Sequence, residues 1–218
     1  MAPIDLKKYL EELYPTHHGS TRVISFSDYS TETQEKYFEL EDKCTPVIQP
    51  QGEGISALKN SQGQAVWIVD FERYIDGYNP STKAYKGAKC DFVIVPQQGY
   101  DYIILNELTR TNPRYIAPFT QAKKGQQQPG KRAVAVGQLE ETIRRLHEAE
   151  HRFLSQYMRR VALFSYRYPE GTSADVATAS MSLFAQPTAA FSNISAHGEL
   201  SCGFVFEQRL YPAVYELS

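Results

Sequence analysis

The feature that most narrows the fold is a pair of β-rich runs, CDFVIVP at 90–96 and YDYIILNEL at 100–108, with only Gln97-Gln98-Gly99 between them. Val, Ile, Phe and Tyr joined across so short a link ending in Gly form an antiparallel hairpin. AVWIVDF at 65–71 and VALFSYR at 161–167 carry the same strand signature. Between the hairpin and the last strand, residues 138–160 place Leu139, Ile143, Leu146, Phe153 and Tyr157 at helical spacing, with Arg144, Arg145, Glu148 and His151 falling between them. That predicts one long amphipathic helix, with Gln138 in its first turn. Hairpin, helix, strand is the order of an α/β fold, a central mixed β-sheet flanked by helices.

The remaining segments read less sharply. Leu6, Tyr9, Leu10 and Leu13 predict a short helix over 5–13, followed by turns in PTHHGS. Residues 32–44 favour helix, closed by Pro46, and 47–64 read as loop and turns. Gln126–Gly130 reads as a loop, 174–184 as a small-residue helix, and 203–211 as a final strand ended by Pro212. A chain of 218 residues fits one domain. Within it, 1–64 form a helical and loop segment, 65–167 the core, and 168–218 a C-terminal extension.

Composition excludes some classes. Net charge is -2, which rules out a uniformly basic nucleic-acid coat but not a local patch. The three cysteines are widely spaced with no CxxC, against both a disulfide framework and a zinc site. The sequence opens without a signal-like apolar run and has no stretch of membrane-spanning length, so a cytoplasmic protein with reduced thiols is expected.

Asp91 opens one hairpin strand and Glu107 lies near the end of the other, about equally far from the turn. Facing carboxylates repel unless a cation sits between them, and a hard divalent ion suits all-oxygen ligands. Polar strand ends that merely face solvent satisfy the same spacing. Beyond Glu107 no acid occurs until Glu140, while Arg110, Arg114, Lys123, Lys124, Lys131 and Arg132 fall in the gap. Lys83, Lys86 and Lys89 approach the same end of the hairpin from the other side. Cations flanking an acid pair suit a phosphate polyanion, though charge runs are also ordinary solvated loop.

Lys89-Cys90-Asp91-Phe92-Val93-Ile94-Val95, then Tyr102-Ile103-Ile104-Leu105-Asn106-Glu107-Leu108, then Gln138-Leu139-Glu140-Glu141-Thr142-Ile143 resembles the PD-(D/E)xK, or restriction-endonuclease-like, nuclease superfamily over about residues 65–167. The resemblance implies a restriction-endonuclease-like mixed sheet and a hydrolase needing Mg²⁺ or Mn²⁺. Asp91 and Glu107 would be metal ligands and Gln138 a supporting helix residue. Glu35, Glu39, Glu41 or Glu53 would be the third carboxylate, with an N-terminal helix as its usual source. It also implies nucleic acid as partner, DNA ahead of RNA, a bacterial or phage-defence setting, and a homodimer or protein partner for double-strand cleavage. The sequence departs from the motif at Thr109, where the family has lysine. Thr keeps a hydroxyl for water but supplies no positive charge. Lys89, two residues before Asp91, is the candidate replacement, whereas Arg110 should point to the opposite face. A catalytically degenerate module that binds nucleic acid or a protein without cutting is the alternative.

Other features carry less. His17-His18 read as surface residues. His147 and His151 have the spacing of helical metal pairs but no HExxH pattern, and read as an exposed polar face. Tyr74, Tyr78, Tyr85, Tyr100, Tyr102 and Tyr115 are placed either to stack on bases or to pack.

Overall fold

The computed structural model describes residues 3–20, 23–77, 89–121, 125–171 and 198–217. Helix α1 (Leu6–Lys8) runs through a π turn (Tyr9–Leu13) into α2 (Tyr14–His17). Then come β1 (Ser30–Thr33), β2 (Tyr37–Leu40), β3 (Ile48–Gln49), β4 (Ser56–Lys59), β5 (Val66–Asp70), α3 (Phe71–Gly77), β6 (Phe92–Pro96) and β7 (Tyr102–Arg110). They are followed by β8 (Phe119–Gln121), β9 (Gln126–Gln128), α4 (Lys131–Ala149), α5 (His151–Ser155), β10 (Arg159–Arg167), β11 (Glu199–Leu200), β12 (Phe204–Leu210) and β13 (Val214–Glu216).

The strands form a mixed seven-stranded sheet, β1-β5-β6-β7-β10-β12-β11, and a four-stranded sheet, β13-β4-β2-β3. Three layers result, each interface closed by its own apolar cluster. Alternation assigns the faces. Val93, Val95, Ile103, Leu105 and Phe164 pack with Leu139, Ile143 and Leu146 of α4 and with Tyr9 and Leu10. Phe92, Ile94, Tyr102, Ile104, Leu108 and Leu163 pack against Phe38, Leu40 and Leu58 of the smaller sheet. Buried on both sides, the central strands are almost wholly apolar, as a sheet between two layers must be.

The hairpin, the four strands and the β7–helix–β10 crossover form, with the hairpin strands displaced by about two residues: they span 92–96 and 102–110, joined by five residues rather than Gln97-Gln98-Gly99, and Asp91 sits just before the strand it was expected to open. β6 and β7 pair antiparallel, while β7 and β10 pair parallel, as a crossover connection requires. Several expectations are corrected. Residues 32–44 are not helical: Ser30–Thr33 pair with β5 and Tyr37–Leu40 with β4, so aromatic and β-branched residues override the local helical pattern. Within 47–64 lie β3 and β4, so the N-terminal segment supplies most of the second sheet. The predicted helix over 138–160 starts at Lys131 and breaks at Glu150, whose φ of -159° and ψ of 107° are extended. Glu150 turns its carboxylate onto the N–H of Arg152 as the cap of α5. The first helix continues through the π turn and Pro15 to His17 rather than turning at PTHH, and the Leu10 carbonyl in that turn accepts from the Tyr74 hydroxyl at 2.7 Å. Gln126–Gln128 pair with β8 instead of looping. β12 is as expected but is not final, because β13 crosses to the smaller sheet. The proposed helix over 174–184 lies outside the described residues.

Candidate functional site

The β6–β7 register pairs Phe92 with Asn106 and Val93 with Leu105, so one step further Asp91 stands opposite Glu107. Both alternate onto the α4 face of the large sheet, with Val93 and Leu105. Both are buried, at 6% and 7% exposure. One Asp91 oxygen, Oδ2, accepts from the Leu108 N–H at 2.6 Å. Its backbone carbonyl accepts from Phe71 (2.8 Å) and Glu72 (3.3 Å), the first residues of α3. Asp91 thereby seats the helix turn that carries Glu72. From the smaller sheet, the loop after β2 delivers Asp42. Oxygens of Asp42, Glu72 and Asp91 lie within 4.8 Å of one another.

Electrostatics couples these groups. Burial, then the charges of Asp42 and Glu72, push Asp91 well above the usual carboxylate range, against the pull of the Leu108 N–H. Glu107 is pushed up in the same direction by burial and by Asp91, Glu72 and Asp42, with a hydrogen bond from Gln138 opposing. Among the described residues Glu107 Oε2 has no hydrogen-bond partner. The three converging carboxylates are an all-oxygen donor set, which fits a hard divalent cation such as Mg²⁺ or Mn²⁺; Glu107 stands opposite Asp91 in the register, but its oxygens are not among those that converge.

The other expected residues divide. Gln138 lies mid-helix rather than in the first turn, yet it reaches the site, bonding Glu107 and donating to Lys89 O at 3.2 Å. Thr109 follows Glu107 on the same face and is partly exposed. The Lys89 ammonium lies on Asp76, with Glu72 at 4.0 Å. Arg110 turns to the smaller sheet, pairing with Glu41 and donating to Glu53 O at 3.1 Å. Arg114 is exposed, over the Tyr115 ring at 4.5 Å. Arg132 is partly buried over Phe206 rather than on an open rim, and Lys131 is exposed. Lys83, Lys86, Lys123, Lys124, Tyr78 and Tyr85 lie outside the described residues.

None of the four candidate third carboxylates joins the site, and none stands on an N-terminal helix. Glu35 and Glu53 are exposed and Glu41 holds Arg110. Glu39 is fully buried elsewhere, accepting from Tyr37 and Tyr211 hydroxyls and from Gly52 and Gly54 N–H groups. Burial alone would raise Glu39, but these donors outweigh it and leave it lowered. Asp42 and Glu72 were missed. A signal for Glu72 existed: β5 runs antiparallel to β6, so the acids of Val69-Asp70-Phe71-Glu72 end beside the start of β6. Asp42 had none, because it arrives from a different sheet. Tyr74 and Tyr102 are core residues, and Tyr100 packs on Tyr157.

Comparison with family models, curated proteins and solved structures gave no match. No helix among the described residues is long and apolar enough to cross a membrane.

Proposed function

We propose that this protein is a divalent-metal-dependent nuclease acting on phosphodiesters of DNA or RNA. The observation that carries the reading is the convergence of Asp42, Glu72 and Asp91, with Glu107 opposite Asp91 on the same sheet face. The strand–hairpin–helix–strand order around them supports the resemblance seen in the sequence.

Asp91, Glu107, Asp42 and Glu72 would hold the ion, whose chemistry is to activate water and to offset charge on the phosphate oxygens. Gln138 orients the Glu107 carboxylate and, through Lys89 O, ties α4 to the approach to β6. Thr109, two residues beyond Glu107, offers a hydroxyl to a water or a phosphate oxygen. The buried acids hold protons in the ion's absence, since their raised affinity disfavours charge there. Cations beyond the acids, Arg114 and Lys131 among them, supply sequence-independent backbone attraction.

A second reading, a degenerate module that binds without cutting, is favoured by Thr109 alone. Labelled single- and double-stranded DNA and RNA, incubated with Mg²⁺ or Mn²⁺, separate the two. Cleavage by the wild type and not by Asp91→Ala/Glu107→Ala supports the nuclease. Binding without cleavage by either protein sinks it.

A further inference from the structure

The structure places a lysine at the carboxylates that sequence reading did not nominate. Lys43 Nζ lies 3.4 Å from Asp42 and 3.5 Å from Glu72. These are two of the three acids whose oxygens converge. Lys89, nominated from sequence, is anchored instead on Asp76. The Lys43 backbone has φ of 58°, the left-handed region that a residue with a Cβ avoids. The strained residue directly follows Asp42, so one tight bend brings both a carboxylate and an ammonium to the centre. The positive charge of Lys43 also reaches Asp91.

Charge decides what such an ammonium can do. The Lys43 side chain is 74% exposed, and ion pairs held that loosely are weak and readily exchanged. A divalent ion would carry twice the charge and engage Asp91 as well, beside which the orphaned, more than nine-tenths buried Glu107 stands across the hairpin. It would therefore outcompete the lysine, which would remain tethered beside it.

We propose that Lys43 is the tethered counter-ion of this centre: it bridges Asp42 and Glu72 in the metal-free protein and, when a divalent cation takes that place, turns its ammonium to the substrate phosphate. The first half rests on the geometry, and the second on the phosphodiester reading. Lys43 then supplies the positive charge that Thr109 lacks.

Two readouts on the full chain test it, using Lys43→Gln, Lys43→Arg and wild type. Calorimetric titration with Mn²⁺ alone at low salt should show Lys43→Gln binding about two- to fivefold tighter, because the internal competitor is gone. Lys43→Arg should bind as wild type does. Hydrolysis of a labelled oligonucleotide should fall about 100-fold in Lys43→Gln and largely recover in Lys43→Arg. Unchanged or weaker Mn²⁺ affinity in Lys43→Gln would overturn the counter-ion, and undiminished hydrolysis would overturn the phosphate contact. Tighter Mn²⁺ binding with no hydrolysis by any of the three proteins supports the counter-ion and removes only the nuclease reading.

Discussion

Glu107 shows how one residue opposes stability to chemistry. Its carboxylate is buried behind Asp91, Asp42 and Glu72, with only Gln138 easing its charge. A buried acid whose proton affinity is raised in the fold costs stability as pH rises above its ordinary value, because the unfolded chain releases that proton first. Glu107→Gln keeps the shape and removes the charge. In EDTA at pH 8 it should gain about 1–3 kcal/mol in urea unfolding, the scale set by relieving one poorly compensated buried charge. The same substitution should weaken Mn²⁺ binding at least about tenfold, since an amide is a poorer ligand for a hard cation. A variant that loses stability, or keeps its metal affinity, would show that Glu107 is a structural acid. Glu39 is the contrasting case. It is just as buried, but two hydroxyls and two glycine N–H groups hold it charged. Two buried glutamates of one chain are thus set apart by their donors, and no sequence pattern distinguishes them.

At the scale of elements, α4 does more than cover the sheet. Its Thr142 Oγ1 accepts the Cys90 N–H at 2.9 Å and donates to Gln138 O at 2.9 Å. Cys90 immediately precedes Asp91 and is fully buried, so no water can replace that acceptor. Thr142→Val leaves the N–H orphaned and should cost about 1–3 kcal/mol, read as a lower urea midpoint. Thr142→Ser, keeping the hydroxyl, should recover most of it. Equal midpoints for all three proteins would mean that the clamp contributes nothing. The clamp also marks the limit of what sequence could tell. The hairpin and its opposed acids were legible because two β-rich runs joined by a short link pair about its middle, here Gly99, although the link runs over five residues, 97–101, and not the three expected, and register fixes which side chains meet. The crossover was legible because Leu139, Ile143 and Leu146 repeat at helical spacing. The smaller sheet was not, because β2, β3 and β4 are two to four residues long and only pairing makes them strands. Asp42 and Lys43 were lost with it, since their loop reaches the centre only once that sheet is in place.

For the whole molecule, two of the places where pH acts have opposite signs. His18, where α2 ends against α4, is lowered to about 4 by burial and then by the charges of His17 and Arg145, with Glu148 opposing. The unfolded chain binds that proton near the ordinary value of 6.5. Between about pH 4 and 6.5 the unfolded state therefore holds more protons at this site, and stability falls as pH falls. Asp91 and Glu107 run the other way. Their folded affinities are raised, so above the ordinary carboxylate range near pH 4 the folded state holds more protons, and stability falls as pH rises. Above pH 6.5 the His18 effect is complete while the carboxylates still act, and the metal-free protein should lose stability steadily into the alkaline range. A divalent cation binds the deprotonated acids and stabilises the fold by mass action, so with millimolar Mn²⁺ the alkaline slope should flatten or invert. Thermal melts from pH 4.5 to 9, with EDTA or with Mn²⁺, resolve the two effects, because below pH 6.5 the His18 proton offsets part of the fall that the carboxylates impose. His18→Gln should steepen the fall below about pH 6.5 and leave it unchanged above, whereas Asp91→Asn/Glu107→Gln should remove the fall throughout and leave only the His18 loss on the acid side. If Mn²⁺ leaves the alkaline arm unchanged, the four acids do not form a cation site, and their mutual repulsion is simply borne by the apolar layers on either side of the sheet.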